Sequence, residues 1–178
     1  RQFYFGKQQL NVNARIGLYP SFSGGTIAVA SDENILSSWT CEWNTLQLIV
    51  FDGKTSKAWK NENILPGEGR FGSRPLCHLE PYSFSYLFAD SSQRRKAMQL
   101  LDAVPQGNMV MVYWVGAASG GSANKSFISN WMGDTTNLGQ GNSLYHKLKS
   151  LGFTKIDSFT RNIPFLFFFK KGDQNYPV

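Results

Sequence analysis

The amino-acid sequence predicts an α+β domain, and three observations carry that expectation. An amphipathic helix, a tight reversal and an apolar strand without alternation follow one another from Arg94 to Val115. Several other segments have the length and two-residue period of half-buried strands. Aromatic residues make up 15% of the 178 positions, fourteen of them Phe, and such residues favour packed sheets.

In chain order, Phe3, Tyr4 and Phe5 make residues 1–11 a leading strand or the end of a linker. Val12 to Tyr19 alternates apolar and polar, Pro20 to Gly25 is turn chemistry, and Thr26 to Ala30 reads as a second strand. Ser31 to Asn44 reads as a loop holding Trp39, Cys41 and Trp43. Leu46 to Phe51 is an apolar strand. Asp52-Gly53 suits a type I′ hairpin turn, so Thr55 to Trp59 is expected to return beside it.

Residues 60–75 are polar and rich in Gly and Pro, the longest irregular stretch. Within Leu76 to Phe88, Tyr82, Phe84 and Tyr86 alternate as in a strand. Asp90 or Ser91 can cap the helix that follows, with Gln93 placed for a capping box. Ala97, Leu100, Leu101 and Val104 fall on one stripe of that helix. Pro105 ends it, and Gly107 supplies the positive φ of the reversal into a central strand from Met109 to Val115. Gly116 to Gly121 is a small-residue loop and Asn124 to Met132 a short helix. Asn142 or Ser143 caps a third helix with Leu144, Tyr145, Leu148 and Leu151 on one face and Gly152 at its end. Phe153 to Phe159 and Ile163 to Phe169 read as closing strands.

A net charge of +6 is dispersed rather than clustered, which favours a solvated surface over a nucleic-acid face. Arg94-Arg95-Lys96 opens a helix, where cations oppose the dipole. Lys170-Lys171 reads as a solubility gatekeeper after an apolar strand. No run approaches the roughly 18 apolar residues of a spanning helix. Arg1-Gln2-Phe3 resembles neither a signal peptide nor an initiator Met, so the chain reads as part of a larger polypeptide or a processed product.

Catalytic and cofactor motifs fail on spacing. Asp52-Gly53-Lys54-Thr55 mimics the tail of a phosphate loop, but Leu48 stands where the first Gly is required. Ser122 has Gly120 before it and Asn124 after it, so it forms no nucleophile elbow. Gly116 to Gly121 could receive an anion but lacks dinucleotide spacing. Cys41, Cys77, His78 and His146 lack the paired spacing of a metal site, and neither metal nor cofactor is expected. Cys41 and Cys77 could close a disulfide worth about 3–4 kcal/mol or remain buried thiols. A Cys77–His146 pair for hydrolysis or acyl transfer is the alternative enzymatic reading. The remaining ligand candidates are Trp131, Asp134, Arg161 and Asn162, since an aromatic face beside Asn, Asp and Arg suits a sugar or peptide. The competing reading of Trp131, and the favoured one, is that it anchors its helix to the core.

Taken in order, Leu46 to Thr55, Leu100 to Val112, Leu144 to Gly152 and Arg161 to Phe167 resemble the interleukin-like EMT inducer, or GG-domain, family. Gly107 and Gly152 would be its two glycines, Asp52-Gly53 its hairpin turn and Arg161 its recurring arginine. The resemblance covers residues 12–172 as a single domain, with 60–89 as an insertion and 173–178 as a tail. Its ending, Ser150 to Gly172, is similar to versions inside large Bacteroidota cell-surface proteins, some associated with type IX secretion. The resemblance implies a β-sandwich of two antiparallel sheets flanked by about three short helices; a three-layer α/β arrangement is the alternative. It also implies a non-catalytic extracellular module whose partner is a glycan or a protein.

Overall fold

The computed structural model describes residues 2–5, 8–14, 27–31, 34–38, 45–74, 81–114, 127–158 and 165–176. The fold is α+β. Strands β1 (Gln2–Phe5), β2 (Gln8–Ala14), β3 (Ile27–Ser31) and β4 (Asn34–Ser38) form one antiparallel sheet in that order. Next come β5 (Thr45–Phe51), a small ribbon of β6 (Asn63–Leu65) and β7 (Glu68–Gly69), then β8 (Phe84–Leu87) and helix α1 (Ser91–Ala103). The chain continues through β9 (Met109–Trp114), α2 (Phe127–Gly133), α3 (Thr135–Leu138), α4 (Leu144–Ser150) and β10 (Phe165–Lys170). The second antiparallel sheet has the order β10-β9-β5-β8.

Every residue of β5 and β9 is buried, as an unalternating strand requires when both faces are covered. Leu46, Leu48 and Val50, with Val110, Val112 and Trp114, pack against Ala97, Leu100 and Leu101 of α1, Trp131 of α2 and Leu148 of α4. The opposite set, Ile49, Phe51, Met109, Met111 and Tyr113, meets Val12 of β2 and Leu36 of β4. Two antiparallel sheets therefore face each other, and the helices lie on the outer side of the second. The layers number three, but the antiparallel pairing makes this a flanked sandwich rather than an α/β stack.

Several local expectations are corrected. Ser31 to Asn44 is not all loop, because Asn34–Ser38 pairs with β3 through a bulge. Thr55 to Trp59 does not return as a strand; a single bridge joins Phe51 to Ala58. The side chain of Asp52 closes this loop instead, accepting from the Lys54 and Thr55 amides at 3.0 and 2.8 Å and from the Thr55 hydroxyl at 2.9 Å. The strand expected from Phe153 is not formed over the described residues 153–158: Thr154–Ser158 is a 3₁₀ turn, and Phe153 and Ile156, three apart, share its buried side. The capping box is half built, since the Asp90 carboxylate caps α1 while Gln93 Oε1 finds no donor. Lys171 is no gatekeeper. Its ammonium donates to the Leu101 and Asp102 carbonyls at the end of α1, and burial pushes its pKa down.

Glycine has two different uses here. Gly152 (φ +102) ends α4 in a Schellman turn, its N–H donating to Lys149 and that of Phe153 to Leu148. Gly107 (φ +86) makes the reversal between α1 and β9, and its N–H donates to the Lys171 carbonyl at 2.8 Å. Gly53 has no left-handed φ and is required for space: a Cβ there would lie 2.2 Å from the Gly107 carbonyl oxygen. The Gly53 N–H also donates to the Asn108 side chain at 3.0 Å, so the turns at Gly53 and Gly107 interlock.

Gly53→Ala should therefore lower the urea midpoint more than Gly107→Ala, where no atom lies within 4 Å of the new Cβ and only φ opposes the change, about 1–2 kcal/mol. Gly107→Val should cost more than Gly107→Ala because its side chain is β-branched. Equal midpoints for Gly53→Ala and wild type would contradict the packing of this turn.

Candidate functional site

The site is built on the first turns of α1. Asp90 adopts an extended conformation and its carboxylate accepts from the Ser92 amide and hydroxyl, both at 2.8 Å, and from the Gln93 amide at 3.4 Å. The Ser92 hydroxyl is the main cause holding this carboxyl below the usual aspartate range. The helix N-terminus is thus satisfied from within.

The next three residues are cations, and the helical turn of about 100° per residue sends them different ways. Arg94 is 4% exposed. Its Nε and Nη2 donate to the two carboxylate oxygens of Asp134, each at 2.6 Å, and its Nη1 donates to the Phe88 carbonyl at 2.7 Å. The same carbonyl accepts from the Trp131 indole N–H at 3.1 Å. Asp134 lies at the corner between α2 and α3, where its own carbonyl accepts from the Asn137 and Leu138 amides, both at 3.0 Å. One guanidinium therefore joins the end of β8, the start of α1 and the α2–α3 corner.

Above this pair runs a groove of about 470 Å³ between α1 and α3. Ser91, Ser92, Arg95, Lys96 and Gln99 line one wall; Asp134, Asn137 and Leu138 line the other. Ser91, Arg95 and Gln99 are four residues apart and form a row along α1. Lys96 also reaches Glu68 of β7 at 3.3 Å, a partly exposed pair of modest strength.

Two of the residues expected at a ligand face are placed here, in other roles. Trp131 is 1% exposed and anchors α2 in the helix-side core, which corrects the expectation that its ring meets a ligand. Asp134 borders the groove, but its carboxylate is engaged on both oxygens by Arg94. Arg161, Asn162, Cys41, Cys77 and the Gly116 to Gly121 loop lie outside the described residues. His146 sits in the first turn of α4, its Nδ1 2.8 Å from the hydroxyl of the capping Ser143. Among the described residues, no group of three His, Cys, Asp or Glu side chains could hold a metal ion, and no helix is long and apolar enough to cross a membrane. The groove residues Ser91, Arg95, Gln99 and Asn137 escaped the sequence reading. The signal was the cationic run at 94–96, an arrangement that makes sense only if one cation turns inward to an acid.

No family model matches the chain, and neither a curated protein nor a solved structure matches it.

Removing one partner of a buried ion pair strands the other, so Asp134→Ala should destabilise by about 3–5 kcal/mol in urea unfolding. The Arg94→Leu/Asp134→Leu double variant should be less destabilised than Asp134→Ala, because neither charge is left unpaired. Asp90 carries a pH prediction. Its folded pKa is depressed, so its contribution is complete above about pH 4 and is lost as the pH falls through the folded value. Asp90→Ala should therefore cost about 1 kcal/mol at neutral pH, and the difference from wild type should shrink in acid.

Proposed function

We propose that this domain is a non-catalytic binding module of a larger extracellular or cell-surface protein, and that the groove between α1 and α3 receives a glycan. The groove itself carries the reading. Hydroxyl, amide and guanidinium groups converge there beside one apolar side chain, Leu138, on a frame fixed by the Arg94–Asp134 pair. Its volume lies within the range of small-ligand sites, roughly 300–1,000 Å³. Serine, asparagine and glutamine side chains offer donors and acceptors together, which is what neighbouring sugar hydroxyls require. The sequence resemblance points the same way, since one domain of that family, in a glycosyltransferase stem, binds carbohydrate.

The acids nearby favour binding over catalysis. Asp134 is locked by Arg94 and Asp90 caps α1, so neither carboxylate is free to move a proton.

A glycan array followed by titration calorimetry tests the proposal. Wild type should bind at least one glycan class, and Gln99→Ala with Asn137→Ala should weaken that binding by about ten-fold or more through loss of two hydrogen-bonding side chains. A folded wild-type domain that binds no glycan on the array would refute the reading.

A further inference from the structure

We infer that the glycan held in this groove is acidic, carrying carboxylates or sulfate esters, and that Arg95 is the residue that recognises the acid. The inference rests on the reading of the groove as a glycan site and adds the substrate class to it.

Of the three consecutive cations on α1, Arg94 is neutralised by Asp134 and Lys96 is shared with Glu68. Two further ion pairs join described residues, Lys147 with Asp102 and Lys149 with Asp157, and Arg95 has no acidic partner among the described residues. Arg95 is exposed and lines the groove. The lone acid in that lining is Asp134, and its charge is already matched. The groove is left with a surplus of positive charge concentrated on one planar fork of donors. A guanidinium of this kind pairs bidentately with carboxylate or sulfate, which a neutral sugar cannot reproduce.

The anion is held by side chains, not by the helix terminus, because Asp90 already occupies the first amides of α1. The row Ser91, Arg95, Gln99 places a hydroxyl one turn before the guanidinium and an amide one turn after it. Its eight-residue span rises about 12 Å, enough for a disaccharide to lie along α1 with its acid at the centre. Asn137 stands on the opposite wall.

The test uses matched pairs: uronate, sulfated and sialylated oligosaccharides, each titrated beside its methyl-esterified, desulfated or desialylated counterpart. At least one acidic member should bind about ten-fold or more tightly than its neutral counterpart, from one charge-assisted contact. That preference should vanish in Arg95→Gln, be partly retained in Arg95→Lys, and diminish with added salt because the site is exposed. Arg95→Gln should keep the wild-type thermal midpoint, since the side chain it removes is exposed. The uronate and sulfate arms separate the two sources of acid. Equal binding of every acidic and neutral pair would overturn the acidic assignment and leave the glycan reading standing. No binding of either form by the folded protein would overturn both.

Discussion

The buried pairing of Arg94 with Asp134 is the constraint on which the helical side of this molecule depends. Taking a guanidinium and a carboxylate out of water costs several kcal/mol for each ion, and only close, well-aligned contacts offset it. Here both carboxylate oxygens are met at 2.6 Å, and a third donor of the same guanidinium reaches the Phe88 carbonyl. The apolar stripe of α1 would hold the helix against the sheet over a range of small displacements, because hydrophobic contact has no direction. The ion pair removes that freedom. It sets α1 in register with the α2–α3 corner, and so sets the distance between the walls of the groove.

The opposite end of α1 is held by different physics. Pro105 forces Val104 out of the helical region, the Lys171 ammonium satisfies two of the carbonyls left open, and Gly107 carries the chain back into β9. Gly53 and Asn108 lock this reversal to the loop after β5. Helix α1 is therefore tied at its start by charge and at its end by backbone packing, with the core side chains Ala97, Leu100 and Leu101 between. The groove lies over the first of these ties.

The fold class and most elements were legible in the sequence because their signals are local. The stripe of α1, the unalternating β9, the Asp90 and Ser143 caps and the left-handed Gly107 and Gly152 all follow from residue types at short spacing. What failed depended on contacts distant in sequence or on competing local geometry. Asp52-Gly53 has hairpin composition, yet the Asp52 side chain closes a different loop and Gly53 serves Gly107, fifty-four residues away. Phe153 and Ile156 looked like strand residues because a spacing of three fits a 3₁₀ turn as well as an imperfect alternation. Trp131 and Asp134 read as candidate ligand contacts, but Trp131 is buried in the core and the partner that explains Asp134 lies forty residues earlier in the cationic run. A sequence shows that Arg94 opposes the helix dipole; it does not show which acid compensates.

Hydrogen–deuterium exchange on wild type and Asp134→Asn bears most directly on this role of the ion pair. If the pair couples the two walls, amides in residues 91–96 and in 127–138 should lose protection together in the variant, while β5 and β9 keep theirs. Increased exchange confined to 127–138, or unchanged exchange in both segments, would contradict the coupling and with it the account of how the groove is shaped.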